Sequence, residues 1–267
     1  MPTTERANNV ITLGYLGIIA YSFTFYWHEL VGYGLIMRLL GKHNITLTAG
    51  YIGSPDPVTS SLGTNLGERL LGATGTLASL AAGLFFWWIL KVSTRKKWPV
   101  EVRYGLWLFM AINLFLGSFY VFYSGVFDVA SFADVIKGLP GAPVLRLVEI
   151  AGGAALSYGS CRLADSHFPS LPGSRLILML VPYVSATIPY LFATLLMPSG
   201  WYIIIIGAIP AALLGQGVLP LLALFGTSEP DSSKDADFIR FSWLAFGLGN
   251  LCLLLITYVA PGVHFTL

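Results

Sequence analysis

Apolar residues run along this chain in long blocks broken by short polar connections. The first block, Val10 to Trp27, contains no charge, and it resumes after His28-Glu29 as Leu30-Val-Gly-Tyr-Gly-Leu-Ile-Met. About 20 apolar residues suffice for a helix to cross a bilayer. Segments of this kind fall at roughly Val10–Leu40, Leu70–Val92, Tyr104–Tyr123, Val144–Leu163, Leu176–Met197, Trp201–Phe225 and Phe241–Val259. They predict an all-α fold, a polytopic integral membrane helical bundle of about six to seven transmembrane helices, forming one transmembrane domain over residues 1–267. The first segment exceeds the length of one crossing, and Gly32-Tyr33-Gly34 predicts a tilt or a break within it. Pro198-Ser-Gly200 predicts a tight hairpin between the fifth and sixth segments. Pro182, Pro189, Pro210 and Pro220 predict kinks that neighbouring helices re-satisfy.

Composition agrees with the pattern. Hydrophobic residues make up 55% of the chain and charged residues 10%, with a mean hydropathy of +0.74. Soluble domains carry about 25% charged residues, so the expected surroundings are a lipid bilayer. A net charge of +2 gives no basis for a nucleic-acid partner. The two cysteines, Cys161 and Cys252, lie far apart in apolar surroundings and read as free thiols. The amino-terminal stretch lacks a small-residue cleavage site and reads as leading into a retained first span.

Basic residues set the expected orientation. Lys91, Arg95, Lys96, Lys97 and Arg103 sit between the second and third segments, which places that loop in the cytoplasm. Counting crossings puts the N-terminus, with Arg6, in the cytoplasm and His28-Glu29 toward the non-cytoplasmic side. Arg162 and Arg175 flank another cytoplasmic loop, and the acidic stretch Ser228–Asp237 falls inside as well. Aromatic residues gather at segment ends as interfacial anchors. Gly72 to Gly75 and Gly152-Gly153 suit close helix packing.

Ionisable residues in such segments are candidates for function, because each costs about 2.5–3.5 kcal/mol at the bilayer centre. His28-Glu29 is also the first half of the zinc-protease helix motif His-Glu-x-x-His, in which two imidazoles one turn apart bind the metal and the Glu activates its water. The second imidazole is missing, since Gly32 stands four residues after His28. His43 is a possible replacement in the following loop. His264 is a weaker one, and His167 falls on the opposite side of the membrane. Arg146 and Glu149, three apart, are expected to pair. Glu68-Arg69 suits a cap or interfacial pair. Asn113 and Gln216 are expected to bond between helices, and Asn44-Ile-Thr46 forms a glycosylation sequon on an outer loop.

The string from Trp27-His-Glu-Leu-Val-Gly to Leu40-Gly41 resembles the site-2-protease-like intramembrane zinc metalloproteases. Gly72-Ala-Thr-Gly-Thr-Leu-Ala-Ser-Leu resembles the glycine-containing helix those proteins place next. Asn113-Leu-Phe, followed by Ser124-Gly-Val-Phe-Asp128 and Phe132-Ala-Asp134, resembles their third segment, which carries an Asp ligand. The resemblance covers about the first half of the chain. It implies Glu29 as general base and His28 and Asp134 as metal ligands, with Asp128 the competitor for Asp134. Zinc would be the cofactor and a membrane-protein substrate would be hydrolysed. With Gly32 in the second ligand position, the expectation is a divergent member, metalloprotease-like but a pseudoenzyme with an inactive or altered site. The alternative is a non-catalytic accessory subunit docked against other membrane protein subunits in a larger complex.

Overall fold

The computed structural model describes residues 8–57, 64–129, 132–227 and 238–266. Arg6 and the acidic stretch Ser228–Asp237 lie outside them. The described chain is mostly helical: α1 (Val10–Leu39), α2 (Thr64–Arg95), α3 (Val100–Phe127), α4 (Ala133–Ile136), α5 (Ala142–Ser166), α6 (Arg175–Leu195), α7, α8 (Val218–Phe225) and α9 (Trp243–Val259). Helix α7 comes in three pieces, Trp201–Ile203, a π-helical turn Ile204–Ala208, and Ile209–Leu214.

Four of the expected spans appear as helices long and apolar enough to cross a membrane: Val10–Leu39, Leu66–Arg95, Val100–Phe127 and Arg175–Leu195. That is fewer than the six to seven expected from the apolar blocks. The reasons are local. Helix α5 is long but carries Arg146, Glu149, Arg162 and Asp165. The sixth block is interrupted by the π-helical turn and again between Leu214 and Val218. Helix α9 has only 17 residues.

The first span holds the least expected feature. Residues Trp27–Gly34 form a π-helical segment inside α1, in which the Leu35 amide donates to the Leu30 carbonyl five residues back. The glycines therefore widen the helix instead of breaking it, a local form often found at functional sites. The expected hairpin is present, with α6 ending at Leu195 and α7 beginning at Trp201. Pro182 and Pro189 lie inside α6, which remains one helix.

Helix α3 occupies the centre, with Tyr104, Trp107, Leu108 and Met110 fully buried. A helix apolar on every side finds partners on every side, and α1, α2 and α5 pack around this one. Polar side chains lock these contacts. The Asn113 amide donates to Thr24 Oγ1 at 2.6 Å, and Gln216 donates to Thr187 Oγ1 at 2.9 Å, both as expected. Small residues set the spacings: a methyl group on Gly83 would meet Leu114 Cγ at 2.5 Å. Gly153 packs against Phe122, whereas its neighbour Gly152 faces open space. Cys161 and Cys252 are free thiols.

Beside the helices the described chain carries one small sheet. Strands β1 (Asn44–Leu47), β2 (Ile52–Gly53) and β3 (Val263–Thr266) form an antiparallel sheet in the order β2-β1-β3. Leu47 pairs with Ile52 on one side and Val263 on the other, so the C-terminal segment is stitched to the loop after α1. The Asp56 carboxylate braces that loop, accepting from the amides of His43 (2.7 Å) and Asn44 (2.6 Å) and from the Asn44 side chain (2.9 Å). The Asn44 side-chain bond, followed by the two amide bonds, holds the Asp56 carboxyl below its usual range. Its bracing is therefore present above the ordinary carboxylate pKa and is lost as pH falls through the depressed value. Asp56→Ala is expected to speed amide hydrogen exchange at His43 and Asn44 at neutral pH, and acidification of the wild type to lower the protection of these amides relative to their intrinsic exchange rate at the same pH.

Candidate functional site

His28 and Glu29 are both buried, at 2% and 4% exposure, and the π-helical segment decides what each meets. On an ordinary α-helix His28 would share a face with position 32. Here the widened turn brings Tyr33 beneath it, with the Tyr33 hydroxyl 3.2 Å from His28 Nε2. The other ring nitrogen, Nδ1, lies 2.9 Å from Ser79 Oγ on α2. The Tyr120 ring of α3 stacks on the imidazole at 4.9 Å. One histidine thus ties α1 to α2 and α3. Trp27 adds to the same seam by donating to the Ala78 carbonyl at 2.9 Å.

Gly32 belongs to the seam as well. A methyl group there would sit 2.5 Å from Gly75 Cα, 3.0 Å from Gly75 N and 3.2 Å from the Thr74 carbonyl. The backbones of α1 and α2 meet at this point, with Tyr33 lying over Gly75 from the other side. Position 32 has no room for an imidazole.

Glu29 points elsewhere. Its Oε2 accepts the backbone amide of Ile52 at 2.8 Å, which fixes β2 against α1. Among the described residues no donor reaches its other oxygen. A buried amide left without an acceptor costs about 1–3 kcal/mol. Glu29→Ala is therefore expected to lower the thermal midpoint, while Glu29→Gln, which keeps a carbonyl oxygen at the same place, retains most of it. Equal losses in the two variants would refute the bracing role.

A cavity of about 460 Å³ opens beside these residues, walled by α1, α2, α3, α4, α7 and the loop carrying β2. His28, Glu29 and Asp134 all line it. Asp134 stands at the exposed mouth and pairs with Lys137 at 3.7 Å. Arg69 pins this short helix to α2, donating to the Val135 and Lys137 carbonyls at 3.0 and 2.9 Å. Asp128, the competing ligand, instead caps the end of α3 in a left-handed conformation and pairs with Arg146.

The donor set for a metal does not match the zinc motif. Both His28 nitrogens face hydroxyl partners, position 32 is a helix contact, and among the described residues no three His, Cys, Asp or Glu side chains gather in a metal-holding group. The other imidazoles are engaged: His43 with Arg38, His264 with Thr46 Oγ1 at 2.8 Å, and His167 with Trp87 at 3.1 Å.

Two arrangements depart from or escape the sequence reading. Arg146 pairs with Asp128 and not with Glu149, whose two carboxylate oxygens have no hydrogen-bond partner among the described residues. At the far end of the molecule Asp165 forms a buried pair with Arg175, with side-chain exposures of 7% and 12%. The Asp165 carboxylate also accepts from the Thr227 amide at 3.0 Å and hydroxyl at 2.8 Å. The polar residues themselves were visible in the sequence, but their partners lie 10 and 62 positions away.

No family model matches the chain, and no curated protein and no solved structure matches it either.

Proposed function

We propose that this chain is a multi-pass membrane protein that binds a ligand in the cavity beside His28 and Glu29 and does not hydrolyse peptide bonds. In outline it is a divergent relative of the intramembrane metalloproteases, with the position of the second metal ligand given over to a helix contact. The observation that supports this most is the seating of His28, which spends both ring nitrogens on Ser79 and Tyr33 at the cavity wall. With the basic residues from Lys91 to Arg103 on the cytoplasmic side, the mouth between Glu68 and Lys137 opens on the opposite side. Outward apolar side chains such as Val144, Leu147 and Leu254 suit lipid contact. The same surfaces would serve an accessory subunit in a complex.

A cysteine placed in the cavity tests the reading. In a Cys161→Ala/Cys252→Ala background, Ala211→Cys is expected to react with a small neutral thiol reagent, because Ala211 lines the cavity. A thiol that stays unmodified in the folded protein overturns the binding role.

A second reading, zinc-dependent hydrolysis, draws support from the meeting of His28, Glu29 and Asp134 around one cavity. Metal analysis of the purified protein separates the two. Substoichiometric zinc, unchanged by His28→Ala, is expected. Stoichiometric zinc lost in both His28→Ala and Asp134→Ala would establish the second reading instead.

A further inference from the structure

We propose that the ligand of this cavity is a small organic ammonium ion; the inference rests on the binding role just described. The wall is rich in aromatic rings, with Tyr33, Tyr51, Phe119, Tyr120 and Tyr123 all contributing. Rings carry negative charge on their faces and attract cations, most strongly where water is excluded, and quaternary ammonium groups are commonly held in such surroundings. The volume, about 460 Å³, lies in the usual range for small-molecule sites.

The charges point the same way. Two lysines line the mouth and both are engaged within the fold, Lys42 with the Asp56 carbonyl and Lys137 with Asp134. Glu68 adds a carboxylate at the same mouth. The inner wall holds Glu29, buried, with one oxygen on the Ile52 amide and no cation among the described residues paired with it. A buried carboxylate without a counter-ion is costly in low dielectric, and an ammonium ligand supplies that counter-ion. An anionic ligand would face Glu29 at the closed end, and a neutral apolar one would leave its open oxygen desolvated without a partner.

Choline is the probe. In the Ala211→Cys protein, millimolar choline is expected to slow modification by the neutral thiol reagent, and its uncharged tert-butyl isostere to leave the rate unchanged. Adding Glu29→Gln, which keeps the Ile52 acceptor, is expected to weaken the protection about tenfold in choline concentration. Tyr120→Leu is expected to weaken it as well. If the cysteine reacts and choline gives no protection, or the isostere protects equally, the ammonium assignment falls while the binding cavity stands. If the cysteine never reacts, both fall together.

Discussion

Gly32→His, the substitution that completes His-Glu-x-x-His, is expected to unfold this protein instead of giving it a zinc site. The reason is the contact between α1 and α2. A single methyl group at position 32 already meets Gly75 Cα at 2.5 Å and the Thr74 carbonyl at 3.2 Å, and these are backbone atoms that no rotamer change moves aside. An imidazole would force the two helices apart along the seam that holds His28 to Ser79 and Trp27 to Ala78. Overpacking of this kind costs on the order of 3 kcal/mol or more, a large share of the stability of a single domain. The measurement is the yield and thermal midpoint of the purified variant beside its zinc content. Gly32→Ala is the graded control, expected to be destabilised less but in the same direction. A folded Gly32→His protein carrying stoichiometric zinc would show that the seam yields and that the motif is a lost metal site.

The four long helices are legible in the sequence. The apolar blocks mark α1, α2, α3 and α6 because helices buried or bathed in lipid need continuous hydrophobicity, which is a property of the residues themselves. The same blocks overcount spans in the second half, where Arg146, Glu149, Arg162 and Asp165 thin out the apolar character of α5 and the run from Trp201 to Phe225 is broken by a π-helical turn. The π-helical segment of α1 leaves no periodicity to read, since it depends on Tyr33 and Gly32 fitting against α2. Its consequence for the candidate site is direct: the neighbour of His28 along the helix is Tyr33, where α-helical spacing named position 32. The sheet escapes for another reason. Strands of two to four residues are too short for alternation to show, and β1 finds β3 more than two hundred positions later. Arg146 illustrates the limit of local pairing, because the three-residue spacing to Glu149 loses to Asp128 on the end of α3. His28 and Glu29, by contrast, stand out in the sequence as ionisable residues at the edge of an apolar segment, Asp134 is named there only by the resemblance, and all three line one cavity.

Removing the Arg175 guanidinium is expected to be as damaging as crowding Gly32, at the opposite end of the molecule. Arg175 sits at the start of α6, donates to the Leu222 carbonyl of α8 at 2.7 Å and pairs with Asp165 of α5, so one side chain joins three helices. Burial pushes the Asp165 carboxyl toward its neutral form. The Thr227 amide, Arg175 and the Thr227 hydroxyl together outweigh that and hold it well below the usual carboxylate range. Arg175→Ala leaves that carboxylate in place without its cation, and breaking one side of a buried pair costs about 3–5 kcal/mol. Arg175→Met with Asp165→Leu removes both charges while filling similar space, and is expected to be less destabilised than the single Arg175→Ala variant. The pH dependence fixes the sign. A carboxyl with a depressed folded pKa adds stability that is complete above its unfolded value of about 3.9 and drains away as pH falls through the folded value. The wild-type protein should therefore lose thermal stability on acidification below about pH 4, and Asp165→Leu/Arg175→Met should lose less over the same range. A double variant that is no better than Arg175→Ala, or that keeps the full acid sensitivity of the wild type, would show that α5, α6 and α8 are held together by their apolar contacts and not by this pair.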